Sequence, residues 1–235
     1  MKAHLKHGDN LHKEFPKTKA KKDFWGQVSR TVHGTPVTQE HIDMIISTIN
    51  HALEFNPSDV LLDLGCGNGA LSQYLFKNCS KFLGVDFSEY LIQIAKENFE
   101  SHPNYAFKVM NAVEYIDKEE NPEQFSKALC YGAFSYLSHH DSTKLLQTLN
   151  KRFTNIERFY IGNLPDKDKA HLFYPQDTDF TSLLSERESP IGIWRSQKEF
   201  CNLANETGWN VSFSTMPKSF YSAHYRFDAL LTRDT

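Results

Sequence analysis

The stretch Val60-Leu61-Leu62-Asp63-Leu64-Gly65-Cys66-Gly67-Asn68-Gly69 decides the fold. Four apolar residues with one acid among them form the pattern of a short strand buried on both faces of a parallel sheet. Glycines at alternate positions follow, and then Ala70 to Phe76 has helical spacing. A strand that breaks through glycines into a helix lets a ligand touch bare backbone, because no Cβ stands in the way. Two ligand types use this device. A dinucleotide takes G-x-G-x-x-G, with its pyrophosphate on the helix N-terminus. Here the spacing is G-x-G-x-G, and Asp63 precedes the first glycine by two residues. A carboxylate at that point repels a pyrophosphate and suits a cationic amine.

This D-x-G-x-G-x-G pattern resembles motif I of the class I S-adenosylmethionine (SAM) dependent methyltransferases, whose ligand carries an ammonium and a sulfonium and no phosphate. Working outward, Lys81 to Asp86 reads as a second strand ending in an acid. Asp86 lies about 20 residues past the glycines, where a carboxylate accepts from both ribose hydroxyls. Phe87 follows, placed to lie on the adenine face, and Ser88 caps the next helix. Tyr105 to Met110 is a third strand. At Asn111 the family usually has an acid that accepts from the adenine amino group; the amide offers an oxygen and an NH2 instead. Lys127 to Ala133 and Ile156 to Gly162 are strands four and five, and Asn210 to Ser214 pairs with Tyr225 to Thr232 as a terminal hairpin. The resemblance implies an α/β fold, a doubly wound, mostly parallel seven-stranded sheet with a C-terminal antiparallel hairpin. It covers residues 38 to 235.

Composition narrows the function classes. The 235 residues are 13% aromatic and 23% charged, with net charge −3, which suits a globular chain without an overall pull toward nucleic acid. Four scattered cysteines show neither C-x-x-C nor zinc spacing and read as reduced thiols of a cytoplasmic protein. No apolar run approaches a membrane span and no signal peptide is present. Residues 1–22, with seven lysines against Asp9 and Glu14, read as a basic, flexible tail. Residues 23–56 form a cap over the cofactor site, including a helix from Thr38 through Leu53. Residues 57–235 are the SAM-binding domain, with 164–195 as a lid insertion. Pro190 to Trp194 reads as a return to the sheet. Gly162-Asn163-Leu164-Pro165, placed after strand five, is similar to the N-L-P-[YF] motif of adenine-N6 RNA methyltransferases, but Asp166 replaces the stacking aromatic, so no nucleic acid is expected.

Arg30 has a guanidinium that forks onto a carboxylate, such as that of SAM, or else makes a surface ion pair. The cofactor positions implied are Arg30, Asp63, Gly65, Cys66, Gly67, Asp86, Phe87, Asn111, Ala112 and Tyr131. Near the mouth, Tyr136, His139, His140 and His224 are candidate proton acceptors for an oxygen nucleophile. Tyr136 reads equally as a pocket wall, and His139 and His140 as solvent-facing residues of a first helical turn. Adjacent histidines do not turn easily to one ion, so no metal is expected. The reading is a SAM-dependent methyltransferase acting on a small molecule, at a hydroxyl, with a sugar among the acceptors. The alternatives are N- or C-methylation of a metabolite, or a non-catalytic SAM-binding regulator.

Overall fold

The computed structural model describes residues 12–233. The main sheet has strands β1 (Val60–Leu64), β2 (Lys81–Asp86), β3 (Tyr105–Val109), β4 (Lys127–Tyr131), β5 (Arg158–Pro165), β6 (Asn210–Ser214) and β7 (Arg226–Thr232). Their order is β3-β2-β1-β4-β5-β7-β6. β1 to β5 run parallel, and β7 is antiparallel to both β5 and β6. The chain moves one way from β1 to β3 and then returns to β4 on the other side of β1. Such a reversal opens a crevice beyond the carboxyl ends of the two central strands, where ligands of open α/β sheets bind.

Helices cover both faces. α1 (Phe24–Gln27) and α2 (Gln39–Leu53) precede the sheet, followed by α3 (Glu89–Phe99), α4 (Ala112–Lys118), α5 (His139–Arg152) and α6 (Gln197–Glu206). Ile42, Ile45, Ile49 and Leu53 recur at helical spacing and are fully buried, so α2 presents one apolar stripe to the sheet. Each such side chain contributes about 2 kcal/mol by leaving water. The side chain expected to cap this helix does not: Thr38 occupies the N-cap but its hydroxyl faces His41 Nδ1 at 3.3 Å. Ser88 and Ser138 do cap α3 and α5, and Ser196 with Glu199 forms a full capping box on α6. α2 and α3 pack on one face of the sheet and α4, α5 and α6 on the other.

Four details differ from the sequence reading. After the glycines the chain forms a 3-10 segment, Ser72–Asn78, in place of an α-helix. Residues 190–194 do not rejoin the sheet. They are instead pinned to the turn after β4, through Ile193 N–H to Ser135 O at 2.7 Å, and to Leu184 O through Trp194 N–H at 2.8 Å. The tetrapeptide Gly162–Pro165 lies inside β5, because a register shift between Ile161 and Leu164 lets the strand keep pairing with β7. Finally, the described part of the basic stretch, 12–22, is held to the fold: Pro16 is buried, and Gln27 Nε2 donates to Ala20 O and Lys21 O. Residues 1–11 of that stretch lie outside the described residues.

Candidate functional site

The glycine loop is shaped by three left-handed residues, Gly65 (φ 79°), Gly67 (φ 58°) and Gly69 (φ 74°). A Cβ on Gly65 would lie 2.4 Å from that of Ala133, and one on Gly67 would lie 2.9 Å from Val28. The loop is therefore bare by steric necessity as well as by φ. Two buried carboxylates flank it. Asp86, at the tip of β2, accepts from Gly67 N–H at 3.0 Å through one oxygen and from Ser88 N–H at 2.9 Å through the other. Burial pushes its carboxyl above the ordinary value, opposed by the N–H donors of Ser88, Gly67 and Phe87. Asp63 accepts from Ser72 Oγ at 2.7 Å. Burial raises its pKa to about 7, with Ser72 opposing, Asp86 adding repulsion and Arg30 opposing.

Asn68 ties the loop to the N-terminal cap: its Nδ2 donates to Phe24 O and to Gln27 Oε1, both at 2.8 Å. The cap brings Arg30 across β4, with its guanidinium 5.0 Å above the Tyr131 ring and 5.7 Å from Trp25. Arg30 Nη1 is buried and has no hydrogen-bond partner. A cofactor carboxylate would satisfy it, and the bare loop with two acids suits the cationic remainder of the same molecule. The residues present fit SAM.

The other predicted positions are distributed as follows. Cys66 lies in the loop, and burial holds its thiol well above its ordinary pKa. Phe87 is half-buried, with Lys13 Nζ 5.5 Å from its ring. Asn111 is exposed and its amide oxygen caps α4, accepting from Val113 N–H at 2.9 Å, so the oxygen expected to face adenine is already engaged. Ala112 is the first residue of that helix. Tyr136 donates its hydroxyl to Pro190 O at 2.7 Å, and burial raises its pKa, a geometry suited to anchoring the insertion. His139 and His140 stand exposed in the first turn of α5, and His224 is exposed with its ring 4.8 Å from Tyr225. The structure thus gathers Asp63, Gly65, Cys66, Gly67, Asp86, Arg30 and Tyr131 around one crevice and leaves the histidines at its margin.

Sequence reasoning passed over several residues. His12 packs against Tyr136 at 4.2 Å and Phe87 at 6.5 Å, bridging the two sides of the mouth. Asn163 takes a left-handed φ of 67°, with its N–H held by Asp228 Oδ1 at 2.6 Å and its carbonyl by Arg226. The signal for Asp228 was present: a single acid among the apolar residues of Phe227 to Leu231. The insertion's rings pack largely on one another, with Trp194 and Ile191 buried beside Tyr174 and Phe180 and against Tyr225.

Residues 61–154 match the family model described as "Methyltransferase domain". The matched span holds the glycine loop and both flanking carboxylates, Asp63 and Asp86. Curated relatives of this methyltransferase domain include a "Probable cobalt-precorrin-6B C(15)-methyltransferase (decarboxylating)" of Methanocaldococcus jannaschii, 26% identical over 52% of this chain and 61% of that protein. The ubiquinone biosynthesis O-methyltransferase of Pseudomonas fluorescens is 24% identical over 58% of this chain and 62% of its own length. The chain thus spans less than two thirds of the length of the curated relatives it matches. Among solved structures, magnesium protoporphyrin IX methyltransferase of Synechocystis PCC 6803 with bound SAH superposes with a TM-score of 0.65. It is 14% identical, covering 97% of this chain and 98% of that one, and shares the fold of the methyltransferase domain. Among the described residues, no helix is long and apolar enough to cross a membrane.

Proposed function

We propose that the chain methylates a small molecule at a hydroxyl oxygen, with SAM as methyl donor. The observation that carries this reading is the bare loop between buried Asp63 and Asp86, faced by the unpaired Nη1 of Arg30. Arg30 would hold the cofactor carboxylate, Asp86 the ribose hydroxyls and Phe87 the adenine, and Asp63 would face the positive charge. When bound, the cofactor supplies a sulfonium-activated methyl group. The protein's part is alignment and dryness: the nucleophile must approach in line with the S–CH3 bond, and water must be kept out. Tyr136 and Pro190 hold the 164–195 insertion over the turn after β4, which supports a role as lid. An oxygen nucleophile also needs a proton acceptor within reach. The imidazole rings of His12, against Tyr136, and of His224, against Tyr225, are the candidates for that acceptor.

Hydroxyl transfer is favoured by the O-methyltransferase name of the Pseudomonas relative, and a sugar is one such acceptor. Transfer to carbon, the chemistry named for the Methanocaldococcus relative, is the second reading. The test is release of S-adenosylhomocysteine (SAH) from SAM over a pool of sugars, phenols and hydroxy acids, with NMR of the methylated product. An O-methyl signal supports the reading, and a C-methyl product overturns the choice of atom. SAH binding without turnover on any pool member favours a non-catalytic SAM-binding protein.

A further inference from the structure

Two covers meet over the crevice, and both are fastened to one residue. β2 and β4 flank β1, so Phe87, just past β2, and Tyr136, in the turn past β4, stand on opposite banks of the glycine loop. The N-terminal stretch 12–22 spans that gap like a strap. His12 sets its ring 4.2 Å from Tyr136 and 6.5 Å from Phe87, edge-on to both, and Lys13 Nζ lies 5.5 Å from the Phe87 ring. The base of the strap is held by the cradle itself. Gln27, 1% exposed, donates through Nε2 to Ala20 O and Lys21 O, while its Oε1 accepts from Asn68 of the glycine loop. The second cover is the 164–195 insertion. Tyr136 donates its hydroxyl to Pro190 O at 2.7 Å, and the neighbouring Ser135 O accepts from Ile193 N–H at 2.7 Å. The ring of Tyr136 thus carries the strap and its hydroxyl carries the insertion.

We propose that Tyr136 is a common latch that makes the two covers open together, so that the chain admits and releases its cofactor through one coupled gate. The proposal rests on the SAM reading above and adds its gating. The physical link is the side chain's own torsions. While the hydroxyl is held by Pro190 O, the ring keeps one orientation, and His12 has a fixed surface to rest on. When that bond breaks, the ring gains rotamers and the surface under His12 is lost. The reverse also holds: a ring freed of His12 must be ordered again before its hydroxyl can meet Pro190. Two groups that share one partner in this way are energetically coupled and respond non-additively to mutation. Burial raises the Tyr136 pKa, so the hydroxyl stays a donor at neutral pH. Tyr136 is then a positioning residue of the gate. Methyl transfer needs water kept out while the methyl moves and SAH let out afterwards, and a single latch serves both.

Three variants of the full chain test this. Tyr136→Phe keeps the ring and loses the bond to Pro190, His12→Ala removes the strap's ring, and His12→Phe restores a ring without an imidazole. Strap opening is read as tryptic cleavage at Lys13 and Lys17, and insertion opening as hydrogen exchange in 182–195. Tyr136→Phe should speed cleavage of the strap, and His12→Ala should speed exchange in the insertion, each by about threefold or more, the scale of one aromatic contact. His12→Phe should return both to within about twofold of wild type. SAH release, followed by surface plasmon resonance, should quicken in step with cleavage. Its dissociation constant should stay within about twofold, because a gate that opens more often speeds entry and release alike. Effects confined to the segment that carries the mutation, unchanged release in both loosened variants, or His12→Phe behaving as His12→Ala would overturn the proposal. So would loosening that spreads to α2, which would mark general unfolding. Failure to bind SAH counts against the SAM reading alone, because cleavage and exchange on the free chain judge the latch independently.

Discussion

The two halves of the sheet solve different problems. In the β1–β3 half, the polar atoms around the glycine loop are nearly all paired within the chain, as Asp86 shows by taking Gly67 and Ser88 with its two oxygens. In the β4–β7 half, Asp228 on β7 is buried against Tyr160 and takes Asn163 N–H, while the Tyr131 hydroxyl beside them is buried without a partner. The first half is a finished cradle whose ligand fits a fixed shape.

The strongest way to break that contrast is at the loop itself. Gly65→Ala should abolish SAH binding in calorimetry and lower thermal stability, since the left-handed backbone alone costs about 1–3 kcal/mol before the clash with Ala133. Normal binding in this variant would mean that the cradle is adaptable. Next in size, Asp86→Ala should weaken SAM by about 1.5–3 kcal/mol through lost charge-assisted hydrogen bonds. Unchanged affinity would remove Asp86 from the ribose role.

A third effect is pH-dependent and sharpens the electrostatic side. The Asp63 carboxyl, facing Ser72, Asp86 and Arg30, has its pKa raised from 3.8 to about 7 in the folded chain. The folded chain therefore keeps a proton that the unfolded chain releases, and stability of the free protein falls as pH rises through that window. A cationic ligand favours the ionised form, so SAM affinity should rise with pH up to about 7, by at most about tenfold per unit, and then level off. Asp63→Asn should flatten both profiles, and a persistent slope would assign the titration to another group. The smallest effect is expected at Tyr136→Phe, which loses the bond to Pro190 O, worth about 0.5–1.5 kcal/mol. It should loosen the insertion, read as faster hydrogen exchange in 182–195, with SAH affinity unchanged.

Much of the cradle was legible because it depends on local chemistry. Glycine spacing, an acid at each strand tip and a serine cap are written in consecutive residues. The grouping of Tyr131, Tyr160 and Asp228 was not legible because its members come from β4, β5 and β7, and only the register joins Tyr131 to Gly162 and Asp228 to Asn163. Asn111 shows a different failure: the residue type was compatible with an adenine contact, but the helix it precedes takes its oxygen as a cap. The return to the sheet expected at Pro190–Trp194 failed for a tertiary reason. Those residues find their backbone partners in Ser135 and Leu184, and Gly192 crosses so close over Ser135 that a side chain would strike its carbonyl.

The account stands on the cradle's preference for a sulfonium nucleoside over a pyrophosphate. Isothermal titration of SAM and of NAD+ into the same protein measures that directly. One SAM per chain with no heat from NAD+ is the predicted result, and NAD+ binding more tightly than SAM would contradict it.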